Sequence, residues 1–367
     1  MADLHNLSLQ QNNYMAKRIN GIQQLGVGVN DVYEAFKWYR ENFGMDIKMF
    51  DTAALAELML KHTDGEPRER HAILALNLEG GGGFEIWQHT GKTPQAASFQ
   101  LKLGDLGINI GKIKTSDIEA AYKEYSSRGL EILSPLSENP AGTRHFFLKD
   151  IYNNIWELVE DDFLLIKQKS VNGGVLGVVI GVNDIDESLK VYRDILGYDQ
   201  IVYDQTAVFA DWKGLPGGDE KYRRILLSHS ATYKGSFSRL FGHSTLELVQ
   251  AMDRKPRDIY EGRIWGDPGF IHLCYDISGM DELREEVKEK GFPFTVDSAK
   301  AMDSFDMGEA AGNFAYIQAP EGTLIEFVET HKIPLLKKIG WYLNLQKRGE
   351  KPLPKWMFKL FSVMRVK

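Results

Sequence analysis

Apolar side chains recur along this chain in two rhythms, a continuous or alternating run of strand length and a helical stripe. In "LGVGVNDVYEAFKWYRENFGMD", from Leu25, an apolar run gives way to Asn-Asp, after which Val32, Phe36, Tyr39 and Phe43 follow at i, i+4, i+7 and i+11. That spacing predicts an amphipathic helix with one buried face. Asp31 is placed to cap its start and Gly44 to close its end. The pattern returns 153 positions later as "VVIGVNDIDESLKVYRDILGYD", with Asp184 as cap, Ile185, Leu189, Tyr192 and Leu196 as stripe, and Gly197 as the closing glycine. A second pair of segments, "LGINIGKIKTSDIEAAYKEYSSRG" and "PGFIHLCYDISGMDELREEVKEKG", repeats at an offset of 162. Here Ile118, Ala121 and Tyr125 correspond to Met280, Leu283 and Val287, and Gly129 and Gly291 end the helices.

Several short strands are expected after each helix. The chain therefore reads as four βαβββ units, near residues 21–90, 104–162, 174–252 and 268–330. Taken in pairs they predict two domains, 21–162 and 174–330, joined by "DDFLLIKQKSVNGG". A polar arm, residues 1–20, precedes them, and a basic tail, 331–367, follows. The larger second offset predicts a longer loop in the third unit, within 212–243, where "KGLPGGDEK" fits. The glycines of "EGGGGF" match no phosphate-loop spacing and predict a hairpin turn.

Composition narrows the class. The 367 residues suffice for two ordinary domains, and 43% hydrophobic with 26% charged residues is ordinary for a globular protein. A net charge of -7 and a pI near 5.8 argue against general nucleic-acid binding. No apolar run approaches the length of a membrane span, and the first twenty residues lack the apolar core of a signal peptide. The single cysteine, Cys274, excludes an intrachain disulfide framework, so a reducing cytoplasmic setting is expected.

One stretch raises a physical question. In "GGGFEIWQHT" a carboxylate, Glu85, stands among Phe84, Ile86 and Trp87, all of which favour burial. An ionised carboxylate buried without a partner costs several kcal/mol. Glu157, Glu247 and Glu326 stand at the equivalent places in the other units. Seven residues before each helix start stand Gln24, Ile110, Gly177 and His272. Strand alternation puts Trp87 and His89 on the face of Glu85, Cys274 on that of His272, and Gly26 on that of Gln24.

Four tandem βαβββ units, with "GVND" before two helices and "GTLIEFVE" in the last strand, resemble the vicinal oxygen chelate superfamily, which includes glyoxalases, extradiol dioxygenases, bleomycin-resistance proteins and methylmalonyl-CoA epimerase. The resemblance spans about residues 21–330. It implies an α+β fold in which paired units make two cupped eight-stranded mixed sheets. It also implies a metal held by the first and last strands of both partners. Pairing within each half would join Gln24, Glu85, Ile110 and Glu157 in one site and Gly177, Glu247, His272 and Glu326 in the other, each one ligand short. Pairing the outer units with each other gives a complete set, Gln24, Glu85, His272 and Glu326, which resembles that of glyoxalase I. It leaves Ile110, Glu157, Gly177 and Glu247 as a degenerate inner set. Outer-with-outer pairing is therefore expected.

Three oxygen ligands and one imidazole suit a divalent ion such as Zn²⁺, Ni²⁺, Co²⁺, Mn²⁺ or Fe²⁺. Its charge would make the burial of Glu85 tolerable. The implied function is a metal-dependent isomerase, epimerase or lyase acting on a small molecule with adjacent oxygens, with Glu326 or Glu85 as base. Trp87, His89 and Cys274 are expected to contact substrate. Two alternatives stand beside it. A ring-cleaving Fe(II) dioxygenase uses two histidines and a carboxylate, and Gln24 occupies the place of the first histidine. A metal-free small-molecule binding protein would retain the cup without the ion.

The tail departs from the family pattern. Residues 331–367 hold ten Lys or Arg and one acidic residue, Glu350, which leaves about -16 on the rest of the chain. Two amphipathic helices are expected, near 334–347 and 354–364, with Trp341, Trp356, Phe358 and Phe361 as apolar anchors. Such a tail could clasp the acidic body, meet a membrane surface, or bind an acidic substrate carrier.

Overall fold

The structure, a computed structural model, describes residues 17–301, 305–306, 311–336 and 341–367. Each repeat forms as its pattern predicts. The unit-one helix, Val32–Phe43, starts at Asp31, whose side chain accepts from the backbone N–H of Tyr33 and Glu34, and ends at Gly44 in the left-handed region. The unit-two and unit-three helices, Ile118–Ser127 and Ile185–Tyr192, carry the same aspartate cap. In unit three a further turn separates the helix end from Gly197, at φ 80°. The unit-four helix, Met280–Glu289, starts after Gly279, with no side-chain cap.

The strands form two curled mixed sheets. The outer sheet joins units one and four. At its centre the first strands, Arg18–Gly28 and Gly269–Ser278, pair antiparallel. The last strands, Gly83–His89 and Leu324–Leu336, run parallel to them on either side. The inner sheet joins units two and three in the same way, around Gly107–Thr115 and Val175–Gly181. The outer-with-outer pairing expected from the ligand positions is thus the one observed, and neither sheet is built from one half of the sequence alone.

The two sheets pack back to back on one apolar core. Trp156 of the inner sheet stacks on Phe84 of the outer sheet, with centroids 4.6 Å apart, and meets the edge of Phe270. Consecutive units are tied differently. The Tyr39 hydroxyl donates to buried Asp150 at 2.6 Å, joining the unit-one helix to the unit-two hairpin. The equivalent Tyr192 donates to buried Glu321 in the unit-four hairpin.

Some expectations are corrected. Residues 1–16 of the predicted arm lie outside the described residues, and Arg18–Asn20 already belong to the first strand. The extra length of unit three lies mainly between its last two strands, Tyr222–Ser228 and Thr245–Ala251, where the helix Ser238–Phe241 intervenes, rather than in "KGLPGGDEK". The tail helix expected at 334–347 is absent among the described residues. The strand Leu324–Leu336 continues into this region and pairs antiparallel with Trp341–Asn344 at the margin of the outer sheet. Pro334 explains the difference, because proline removes a helix hydrogen bond but is tolerated on an edge strand. The second tail piece forms the helix Lys355–Leu360 and a 3₁₀ turn, Phe361–Met364. Leu353, Met357 and Phe358 are buried against Ile47, Leu76 and Leu240. Trp356, an expected anchor, is instead 60% exposed.

Because each sheet needs strands from both halves, residues 1–167 and 168–367 produced separately should each lack a cooperative thermal transition. Mixing them during refolding should restore one, as circular dichroism melts would show.

Candidate metal centre

The four central strands of the outer sheet carry Gln24, Glu85, His272 and Glu326 into one cluster. The backbone register places Gly26 beside both Glu85 and His272, and Cys274 beside both Gln24 and Glu326. One ligand atom each from Glu85, His272 and Glu326 lies within 4.8 Å of the others. His272 Nε2 stands 3.2 Å from an oxygen of each carboxylate. The Gln24 amide donates to Glu85 at 3.2 Å and to Glu326 at 3.4 Å. A Cβ on Gly26 would lie 2.6 Å from the His272 ring, so only glycine leaves the imidazole its place.

The electrostatics are unbalanced. Burial raises the Glu326 carboxyl; His272 pulls it back, but the nearby Glu85 charge adds to the rise, and the net position is above the ordinary range. Burial also pushes Glu85 upward, but the His272 ring 3.2 Å away outweighs this and holds it below the ordinary range. Burial would lower His272, and the two carboxylates reverse that. Even so, both ring nitrogens of His272 and the Oε1 of Gln24 are buried without an aligned hydrogen-bond partner. Buried polar atoms left unpaired cost about 1–3 kcal/mol each. Of these atoms His272 Nε2, an electron-pair donor when the ring is neutral, lies beside both carboxylates, and a flip of the Gln24 amide would turn its Oε1 toward them. That arrangement fits a divalent cation.

The inner cup is the internal control. Glu157 and Glu247 occupy the equivalent positions, fully buried, but there the protein supplies its own cations. Lys112 Nζ lies 2.9 Å from Glu157 and 2.5 Å from Glu247. It occupies the register position that Cys274 holds in the outer cup, pairing with Gly177 and Glu157 where Cys274 pairs with Gln24 and Glu326. Arg224 bonds Glu247 and also Asp211, the latter at 2.6 Å. His145 Nδ1 lies 2.6 Å from Glu157. Burial would raise both glutamates, but Lys112 with His145 holds Glu157 below the ordinary range, and Arg224 with Lys112 holds Glu247 well below it. The degenerate ligand set was visible in the sequence; the ammonium and guanidinium that meet its glutamates were not singled out, although Lys112 stands two residues beyond Ile110 as Cys274 does beyond His272.

The remaining expected residues surround the outer cluster at different depths. Trp87 packs edge-on against Trp265, with centroids 4.7 Å apart, and Trp265 lies nearly parallel to the His272 ring at 6.1 Å. His89 lies edge-on to Trp87, away from the cluster, and burial holds it down to about 4, hence neutral. Cys274 is fully buried, and its thiol faces Gln23 Oε1 at 3.5 Å. Trp265 and Tyr316 are neighbours of His272 that sequence reasoning did not single out. Tyr316 pairs across the ladder with Glu326, so strand alternation in unit four could have found it. Trp265 lies in the connection before the unit-four strand, where no periodicity marks it.

The Glyoxalase/Bleomycin resistance protein/Dioxygenase superfamily matches this sequence twice, over residues 21–158 and 178–308. Among solved structures, a glyoxalase I mutant from Zea mays aligns with a TM-score of 0.51 at 15% identity, covering 86% of this chain and 92% of that one. A putative dioxygenase from Bacillus subtilis aligns with a TM-score of 0.51 at 12% identity, covering 96% and 98%. Likeness at these identities speaks for the fold. No curated protein matches the sequence.

Since Lys112 balances two buried carboxylates, Lys112→Met should destabilise the protein by about 3–5 kcal/mol. Denaturant unfolding would measure this, and Lys114→Met, which removes no partner of Glu157 or Glu247, should cost clearly less.

Proposed function

Since this chain belongs to the Glyoxalase/Bleomycin resistance protein/Dioxygenase superfamily, we propose that its outer cup is the divalent-metal centre of a glyoxalase-like isomerase, epimerase or lyase. The contrast between the cups carries this reading. The inner glutamates are neutralised by Lys112 and Arg224, whereas among the described residues the outer glutamates have no lysine or arginine in ion-pair contact and meet the His272 imidazole, the Gln24 amide and, at Glu326, Tyr316 and Cys274.

Gln24, Glu85, His272 and Glu326 would hold the ion, with Zn²⁺, Ni²⁺, Co²⁺, Mn²⁺ and Fe²⁺ all compatible with one nitrogen and three oxygen donors. Bound there, it would supply Lewis-acid polarisation to a substrate with adjacent oxygens. The protein's own part is proton transfer and exclusion of water. Glu326, the more basic of the two carboxylates, takes a proton from carbon beside a polarised carbonyl and can return it. Glu85 remains ionised beside His272. Trp265, Tyr316 and Trp87 form an aromatic wall that keeps water from the charge developing there. Cys274 is read as a packing residue near the base rather than a nucleophile, since burial pushes its thiol well up. The dioxygenase alternative is disfavoured because Gln24 stands where a second histidine would be required.

The first test is metal content by mass spectrometry on protein purified without an affinity metal. About one ion per chain is expected, with loss in both Glu85→Ala and His272→Ala, whose side chains come from opposite ends of the sequence. If the intact protein takes up no stoichiometric ion after incubation with Ni²⁺, Zn²⁺, Mn²⁺ and Fe²⁺, the Lewis-acid reading fails and a metal-free binding protein takes its place.

A further inference from the structure

The C-terminal helix has two apolar faces, and only one is used. Met357 and Phe358 turn inward and are buried with Leu353 against the margin of the outer sheet. The segment is held there by Arg365, which pairs with Asp46, and by the Val366 N–H, which donates to the Asp46 carbonyl at 2.9 Å. Its outward positions Trp356, Leu360 and Val363, at i, i+4 and i+7, are 60%, 53% and 84% exposed. A helix fixed by its inner face has no need of a tryptophan, a leucine and a valine on its outer one. A docking helix that needed only to cover the core would be polar there.

The charge around this stripe is one-sided. Lys355 and Lys359 flank it within the helix, and Lys347, Lys351 and Lys367 are exposed nearby in sequence. None of the five has an ion-pair partner among the described residues, whereas Arg365 and Lys234, on the adjoining surface, are paired with Asp46 and Glu350. The tail thus forms a cationic pole on a chain whose remainder carries about -16. Among the described residues no helix is long and apolar enough to cross a membrane.

We propose that the outward face of residues 355–363 is a peripheral docking surface for an anionic lipid bilayer. Trp356, Leu360 and Val363 would enter the headgroup–acyl boundary, where tryptophan partitions well. The lysine stems lie along that apolar surface while their ammonium groups reach lipid phosphates or carboxylates. A bilayer suits this face better than a protein partner does. Three protruding side chains on a short helix fall far short of the roughly 800 Å² per partner that a stable protein interface buries, whereas a fluid surface accepts a small convex wedge assisted by charge.

Vesicle flotation of the full chain tests this, using phosphatidylcholine alone and phosphatidylcholine with about one third phosphatidylserine. Flotation is expected with the anionic vesicles only and should fall as salt is raised. Trp356→Ala combined with Leu360→Ser should reduce binding about tenfold or more, as should Lys355→Glu combined with Lys359→Glu. All four positions are exposed, so thermal melts should match the parent protein and separate lost docking from lost folding. Three results would each overturn the proposal: no flotation with anionic vesicles at low salt, equal flotation of the outward-face variant, or retention on immobilised polyglutamate without any vesicle binding. The last would point to an acidic protein partner instead.

Discussion

A carboxylate inside a sheet must find positive charge, and the architecture of this protein turns on how it does so twice. Each cup brings two glutamates to its centre because the last strands of two units flank the two first strands. Burial there opposes ionisation, and both cups must offset the same desolvation. In the inner cup the compensation is covalent to the chain: Lys112 and Arg224 stay with the glutamates, and the result is a fixed ionic core. In the outer cup the corresponding position holds a neutral thiol, Cys274, and the cluster keeps unpaired donor atoms. One fold element thus has two electrostatic solutions, one closed by the chain's own lysine and arginine and one built on an imidazole.

This difference separates two otherwise similar cups. The inner cup retains the strands, the glutamates and the packing, so none of these alone sets the two apart. What differs in the outer cup is that no lysine or arginine pairs with its glutamates among the described residues, that His272 stands there instead, and that a glycine, Gly26, leaves room for the ring. Aromatic residues line both cups: Trp87, Trp265 and Tyr316 lie by the outer cluster, and Tyr203, Phe209 and Trp212 surround Arg224 in the inner one.

The repeat, its helices and the pairing of outer with outer units were legible because each rests on periodicity or on residues that recur at fixed offsets. Gln24, Glu85, His272 and Glu326 could be brought together on paper because strand position fixes which side chains meet. Other features escaped for physical reasons. Lysine and arginine in a strand ordinarily face solvent, and only the tertiary arrangement gives Lys112 and Arg224 buried partners. Trp265 belongs to an irregular connection with no periodic signal. In the tail, lysines interleaved with apolar residues suggested a helix, but Pro334 and the open margin of the sheet favoured a strand.

The pairing of the first unit with the last has a consequence for biogenesis. Units two and three are neighbours in sequence and can close their sheet soon after both have left the ribosome. Unit one, made first, must wait with an unpaired first strand while two whole units are synthesised, until Gly269–Ser278 arrives. Its tie to unit two through Tyr39 and Asp150 gives it a partial shelter in the interval. Such long-range pairing slows folding and leaves a sheet edge open to wrong partners. A nascent chain that stops short of unit four thus has every strand of the ionic inner cup, but lacks the strands that bring His272 and Glu326 to the outer one.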